Sequence, residues 1–147
     1  MTASFSRGQV SENNLENFAD PGTVAGAIPS GLGLVVVGTD QTRVTGNNAN
    51  GNDFEGIVVI STLTLIGLGI LPPGEVDIDP DPDDVVVVRN TAQGNGGNPP
   101  PLPGDTVIPG ADLFWDGSGS ACWASNDFDT SVPDLLPPCS ASALPAL

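Results

Sequence analysis

Apolar residues in this chain come in short β-branched runs rather than at helical spacing. The runs at residues 34–37, 57–60 and 85–88 consist of Leu, Ile and Val, and each has Gly, Asp or Asn on at least one side. Such runs between turn-forming residues are typical of short buried strands. No stretch combines sustained 3.6-residue periodicity with helix caps. The pattern predicts an all-β protein with long loops.

The longest apolar stretch covers residues 57–71 and is followed by Pro72 and Pro73. It is shorter than the roughly 20 residues that a membrane-spanning helix needs, so we expect no membrane span. A buried strand that continues into an apolar loop is the main interpretation, and a membrane or partner contact is the alternative. The first ten residues contain no apolar segment of the kind found in a signal peptide.

Four segments of the chain repeat one pattern: an apolar residue at position i, Asn at i+3, an apolar residue at i+5, and Asn, Ser or Phe at i+8. The residues at i and i+3 are Val10 with Asn13, Val44 with Asn47, Val87 with Asn90, and Trp123 with Asn126. Asn fits a bend between two short strands because it tolerates left-handed backbone. Stacked repeats would align these four Asn side chains in one ladder, as in a parallel β-solenoid.

The four repeats lie further apart than the roughly 20 to 30 residues that a bare solenoid coil needs, so each coil must carry an insertion. Composition places the insertions at residues 19–30, 63–84 and 96–104, which are rich in Pro and Gly. The length fits a single domain over residues 1–147. A β-sandwich with coincidental Asn spacing is the alternative.

Several landmarks resemble the C-terminal part of bacterial right-handed parallel β-helix repeat proteins, which have the pectin-lyase-like architecture. They are residues 17–22, 30–34, 44–52, 55–60, 79–83 and 113–117, together with Cys122, Trp123 and 137–139. The resemblance implies an all-β, right-handed parallel β-helix of about three to four coils with long insertions, closed by a cap and tail over residues 122–147. Members are usually secreted or lipid-anchored and longer, which implies an extracellular or envelope location and the C-terminal portion of a longer solenoid.

The charge of the chain and its missing residue types argue against several classes of function. The chain has 18 Asp and Glu against 3 Arg, no Lys, His or Tyr, and a formal net charge of −15. This balance argues against nucleic-acid binding, which relies on clustered cations. Without His or Lys, the chain has no Ser-His-Asp triad, no His metal ligand and no Schiff base. The acidity also fits adaptation to high salt.

The acidic run at residues 75–84 is the sharpest candidate site. Its alternating residues Asp77, Asp79, Asp81 and Asp83 would project to one side of an extended chain. Carboxylate oxygens are ligands that Ca²⁺ prefers, so a calcium site is one hypothesis, and apart from this ion we expect no cofactor. The spacing differs from that of an EF-hand, and a solvated, self-repelling loop is the alternative.

Catalysis by this chain would need a convergent set of acids and bases. A polyuronate lyase would need an Arg base, but Arg7, Arg43 and Arg89 fall at different repeat positions and are expected in different columns. A glycosidase would need paired carboxylates, for which the candidates are Asp112, Asp116, Asp127 and Asp129. The leading hypothesis is therefore a non-catalytic module that serves as scaffold or contacts a polysaccharide or partner. A fragment of a carbohydrate-active enzyme, with its site on upstream coils, is the alternative.

The C-terminal third offers two further candidates. Trp115 would stack on a sugar if alternation within residues 111–115 turns it outward, whereas filling the end of the solenoid is the usual role of such aromatics. Cys122 and Cys139 are the only cysteines. The resemblance supports a disulfide between them, as expected in an exported protein, and two reduced thiols in a cytosolic product are the alternative.

The N-terminal face of the predicted solenoid has nothing in this sequence to cover it. An open end of a parallel stack is prone to pair with other strands. We therefore expect either further β-helix coils or end-to-end self-association at that face.

Overall fold

The computed structural model describes residues 3–20, 22–75 and 79–140. Its strands are β1 (Ala3–Ser6), β2 (Leu32–Val37), β3 (Thr42–Thr45), β4 (Glu55–Ile60), β5 (Val85–Val88), β6 (Thr91–Ala92), β7 (Ala111–Trp115), β8 (Ala121–Ala124), β9 (Asp127–Phe128) and β10 (Ser131–Val132). Helices α1 (Val24–Ala27) and α2 (Thr62–Gly67) and the 3₁₀ turns Pro73–Glu75 and Pro103–Asp105 lie in the connections. The expected predominance of short strands is confirmed.

The strands form three parallel sheets. The first sheet has the order β1-β3-β5-β8, the second β2-β4-β7-β10, and the third pairs β6 with β9. Parallel bridges from Gln9 to Asn48 and from Asn48 to Thr91 extend the third sheet toward the β1 side. Because the chain visits the sheets in turn, each strand pairs with one that is distant in sequence.

A main apolar core is built from side chains of all three sheets. Val44 of β3, Ile57 of β4 and Ala92 of β6 are fully buried within it. The opposite face of the second sheet carries a smaller apolar cluster around Phe54, Ile70 and Leu102. Both faces of β4 are therefore buried, which explains why its residues 57–60 are continuously apolar rather than alternating.

The long apolar stretch divides into β4 and α2. Ser61 caps α2, because its hydroxyl accepts a hydrogen bond from the amide of Leu63 at 3.1 Å. Leu65 and Leu68 then pack on the smaller apolar cluster. In the described part of the chain, neither α-helix has the length and apolar character that crossing a lipid bilayer would require.

The strand register corrects the start of the first repeat. Phe5 pairs with Val44, which pairs with Val87, which in turn pairs with Trp123. Val10 is thus not the first member of this column. It lies five residues after Phe5, at the position held by Ala49 and Ala92 in later repeats.

The two halves of each repeat are alike, which explains this error. The residue before each ladder position has a positive φ, close to the left-handed region: Arg7, Gly46, Arg89 and Ser125 in the first half, and Glu12, Gly51 and Gly94 in the second. In the second and third repeats, an apolar residue, a residue with positive φ and an Asn therefore occur twice. Residues 10–13 match the first half in sequence but form the second half in the structure.

Candidate functional site

A first ladder of amides crosses the buried bend after the first sheet. The amide N–H and the Nδ2 of Asn47 donate to Oδ1 of Asn90 at 2.9 and 3.0 Å. Asn90 makes the same two contacts with Asn126, each at 3.0 Å. Gly8 holds the N-terminal position of this ladder, before Asn47, since the Gly8 N–H donates to Oδ1 of Asn47 at 2.8 Å. The expected ladder thus contains Asn47, Asn90 and Asn126, while the placement of Asn13 in it is wrong.

Asn13 belongs to a second ladder that the sequence analysis did not separate from the first. Its N–H donates to Oδ1 of Asn52 at 3.0 Å, and Asn52 donates through N–H and Nδ2 to Asn95, both at 2.9 Å. The signal for this ladder was present as the Asn residues at i+8. Among the described residues, the exposed side chain of Asn13 itself has no hydrogen-bond partner.

Asp112 ends the second ladder. Its Oδ1 accepts from the N–H and the Nδ2 of Asn95 at 2.9 and 2.8 Å. Its Oδ2 accepts from the amides of Asp129 and Thr130 and from the Thr130 hydroxyl, at 3.0 to 3.2 Å. Asp112 is almost fully buried, so this carboxylate is a structural acceptor.

Of the other acids proposed for paired-carboxylate chemistry, Asp116 and Asp127 accept hydrogen bonds through their side chains, whereas the exposed Asp129 contacts Asp112 through its backbone amide. Asp116 accepts from the Ser61 amide at 2.9 Å and from the Thr64 hydroxyl at 2.6 Å. Burial raises the pKa of Asp116, but hydrogen bonds from Ser118, Thr64 and Ser61 outweigh it and lower the pKa below its ordinary value. Asp127 accepts from Nε2 of Gln93 at 2.7 Å.

The arginines only partly follow the expected arrangement. Arg7 and Arg89 occupy one left-handed column with Gly46 between them, so their expected separation into different columns is wrong. The error follows from the misplaced first repeat. Arg43 lies on β3 and lines an open cleft of about 470 Å³ together with Asp84 and Ser120.

The acidic run contributes two of the four predicted calcium ligands to one cluster. Carboxylate oxygens of Asp79 and Asp83 lie within 4.8 Å of one another and of an oxygen of Asp40. The negative charge of Asp40 is the main cause that raises the pKa of Asp79. Asp81 is not in this cluster, and Asp77 lies outside the described residues. Calcium binding by this run stays a prediction.

Trp115 faces the main core rather than the outside. It pairs with the buried Val59, packs against the main core and donates from Nε1 to the carbonyl of Ser118 at 3.0 Å. This inward orientation fits the alternative role, that of filling the end of the core, and sugar stacking by Trp115 stays a prediction. The register decides this orientation, because Trp115 shares a column with Val59 while its neighbour Phe114 takes the outer face.

The C-terminal end of the sheets is covered. Cys122 and Cys139, 17 residues apart, form a disulfide. The segment between them returns to the first sheet, where the N–H of Trp123 donates to the carbonyl of Pro137 at 2.8 Å. Trp123 is only 5% exposed as a result. Residues 141–147 of the predicted cap and tail lie outside the described residues.

The opposite end is open. Phe5, in the same column as Trp123, is 42% exposed. It lines a depression of about 440 Å³ between β1 and β2, with Val10, Leu34 and Val36 among its walls. Within the described ranges, β1 and β2 pair on one side only, so two parallel sheets end here with free edges.

A second concavity lies on the outer face of the second sheet. It has a volume of about 150 Å³, and its walls come from all three insertions, represented by Ile28, Leu65 and Leu102. Glu55 lines it and is 2% exposed. Burial is the main cause that raises the pKa of Glu55 to about 8, and the charge of Asp112 raises it further, against a hydrogen bond from Ala111 that lowers it.

Comparison with known proteins gives no identification: no protein-family model, no curated protein and no solved structure matches this chain.

Proposed function

We propose that this chain is a short right-handed parallel β-helix that serves as a non-catalytic extracellular or envelope module. Three parallel sheets visited in turn, and two side-chain ladders that run through successive repeats, support this fold. The Cys122–Cys139 disulfide is compatible with an oxidising compartment. Such a module serves as a scaffold and binds a polysaccharide or a partner protein.

The observation that carries the proposal is the pair of free strand edges at one end. Among the described residues, β1 and β2 have no strand partner on this side, and Phe5 lies between them at 42% exposure. A strand that pairs with β1 or β2 would gain main-chain hydrogen bonds and cover Phe5. This end is therefore the contact surface of the module.

The chemistry of the open end fits further β-helix coils or a second copy of the chain. Each interior Asn accepts an N–H from the preceding repeat and donates to a carbonyl there, as Asn52 does with Asn13 and Val10. Asn13 presents the same groups to the outside. A partner that offers one backbone N–H and one carbonyl at this position would continue the second ladder.

Light scattering of the purified chain over a concentration series tests this surface. We expect reversible association that the substitution Phe5→Asp abolishes, because it buries a charge in the contact. Leu135→Asp adds the same charge at the covered end, where Leu135 is 89% exposed, and should leave association unchanged. Association should strengthen with salt, since two copies of net charge −15 repel each other.

A monomer at every concentration would rule out self-association at this end. Intact-mass measurement of the native product would then separate the two remaining cases. A larger mass would indicate that upstream coils cover the end, and an unchanged mass would contradict the proposed contact surface.

A carbohydrate-active protein is the second candidate. The sequence predicts that its site lies on upstream coils, whereas the open cleft that contains Arg43, Asp84 and Ser120 favours a polymer-binding surface within this chain. Incubation with pectate or alginate, followed by ultraviolet detection of unsaturated product, tests it. Binding of the polymer without turnover would favour the non-catalytic module.

A further inference from the structure

The outer cavity, with a volume of about 150 Å³, is large enough for a six-membered hydrocarbon ring. An engineered apolar cavity of this volume in another protein stays dry and binds benzene. Folded cores are otherwise packed as densely as organic crystals, and few of their voids exceed a water molecule. A cavity of this size therefore favours a ligand site over ordinary packing.

The surface that lines this cavity is entirely apolar. Val58 lines it from β4, Leu65 from α2, and Ile28 and Leu102 from the first and third insertions. A water molecule inside would have no hydrogen-bond partners, so the cavity excludes water. An apolar occupant would instead restore the van der Waals contacts that the lining atoms lack.

Glu55 is the one titratable residue among the described residues of the lining. Its Oε2 accepts a hydrogen bond from the amide of Ala111 at 2.8 Å, and its Oε1 is buried. Because none of the surface that lines the cavity is polar, neither oxygen can contact a ligand there. Burial raises the pKa of Glu55 to about 8, so the group is uncharged at pH 7. The cavity therefore disfavours ions and hydrogen-bonding groups.

We propose that this cavity binds a small monocyclic hydrocarbon without polar groups, held by apolar contact alone. Ile28 and Val35 line the cavity and are 40% and 37% exposed, so it reaches the surface and a ligand can enter there. Among its described lining residues, the cavity shares only Val35 with the depression at the open end. Binding of the hydrocarbon does not depend on association at that end.

Benzene is the probe, and pyridine is a control of the same shape in which a ring nitrogen replaces one CH group. Each is titrated at pH 7 into protein with labelled Ile methyl groups and followed by carbon–proton correlation NMR. We expect saturable shifts with benzene and an affinity for pyridine at least about tenfold lower, because the buried nitrogen loses its hydrogen bond to water. Absence of saturable benzene binding, or pyridine binding as tight as that of benzene, would overturn the proposal.

The Ile methyl groups also locate the probe. Ile70 and Ile108 line the cavity, whereas Ile57 is fully buried in the main core on the opposite face of the same sheet. Nuclear Overhauser contacts from bound benzene should reach the methyl groups of Ile70 and Ile108 and not those of Ile57. Contacts to Ile57 alone would place benzene in the main core and contradict the proposed site.

A filled cavity provides the structural control. Leu65→Trp places a large ring in the cavity and should abolish benzene binding. Leu63→Trp makes the same change on the same helix, at a residue that is 49% exposed, and should bind benzene as the wild type does. Unimpaired binding to the Leu65 variant would place benzene elsewhere. If that variant does not fold, the methyl contacts of the wild type decide the location.

Discussion

The two ends of the stacked sheets differ although they share one column of side chains. At the C-terminal end, Trp123 is 5% exposed beneath a returning segment fixed by the disulfide. At the N-terminal end, Phe5 is 42% exposed beside two free strand edges. Between them, Val44 and Val87 are fully buried. In the interior of a parallel stack, each repeat is therefore covered by its two neighbours. The strands and side chains at each end lack one neighbour and need a separate structure to cover them.

The second ladder shows how a chain of side-chain hydrogen bonds ends near the C-terminal end of the stack. An Asn side chain both accepts and donates, so it passes the pattern on to the next repeat. The carboxylate of Asp112 only accepts, and it takes hydrogen bonds from Asn95 on one side and from the Asp129–Thr130 turn on the other. The change from amide to carboxylate ends the ladder. Asn13, at the other end, still has the amide.

The largest effect should come from Asp112→Asn. This substitution turns Oδ2 into a donor that faces the amides of Asp129 and Thr130, which are donors as well. We expect the free energy of unfolding to fall by about 3 to 4 kcal/mol. Denaturant unfolding measures this, and Asp129→Asn, the same change at an exposed residue, should be nearly neutral. Equal effects of the two variants would contradict the role of Asp112.

Loss of the disulfide should come next. The entropic model gives about 3 kcal/mol for a loop of this size. The Cys122→Ser, Cys139→Ser double variant should lose that amount in denaturant unfolding. Its Trp fluorescence should shift to longer wavelength as the cover over Trp123 loosens, making the two ends more alike. Unchanged fluorescence would mean that the returning segment stays in place without the disulfide.

The smallest effect should come from the open end. Asn13→Ala removes an exposed amide with no partner in the described part of the chain, so stability should change by less than about 0.5 kcal/mol. Asn52→Ala, in the same ladder but fully buried, should cost about 2 to 3 kcal/mol. Both values refer to dilute protein in denaturant unfolding. Equal costs would show that Asn13 is covered in the isolated chain.

The sequence predicted the interior better than the ends. The spacing of one apolar residue and one Asn in each repeat predicts that Val44, Val87 and Trp123 align. The structure pairs Val44 with Val87 and Val87 with Trp123. The first repeat was misplaced because its ladder position holds Gly8, which has no side chain to mark it. Residues 10–13 supplied a similar pattern instead.

The candidate sites depended on contacts that spacing does not reveal. Asp40 joins Asp79 and Asp83 from a distant part of the chain, because the amide of Gln41 bonds to the carbonyl of Asp83 and holds the two segments together. Glu55 is buried by insertions whose packing no periodicity predicts. Its position at the start of a strand gave no sign of an unusual pKa.

The repeated ladder has an evolutionary consequence. Because each repeat receives and offers the same hydrogen bonds, duplication of a whole repeat in the gene would leave the new unit satisfied on both sides. Length can then change in whole units while Asp112 stays at the terminus. A point mutation at Asp112 instead changes how the second ladder ends, with the loss of stability expected above for Asp112→Asn. The number of repeats and the residue that ends the second ladder can thus change in separate evolutionary steps.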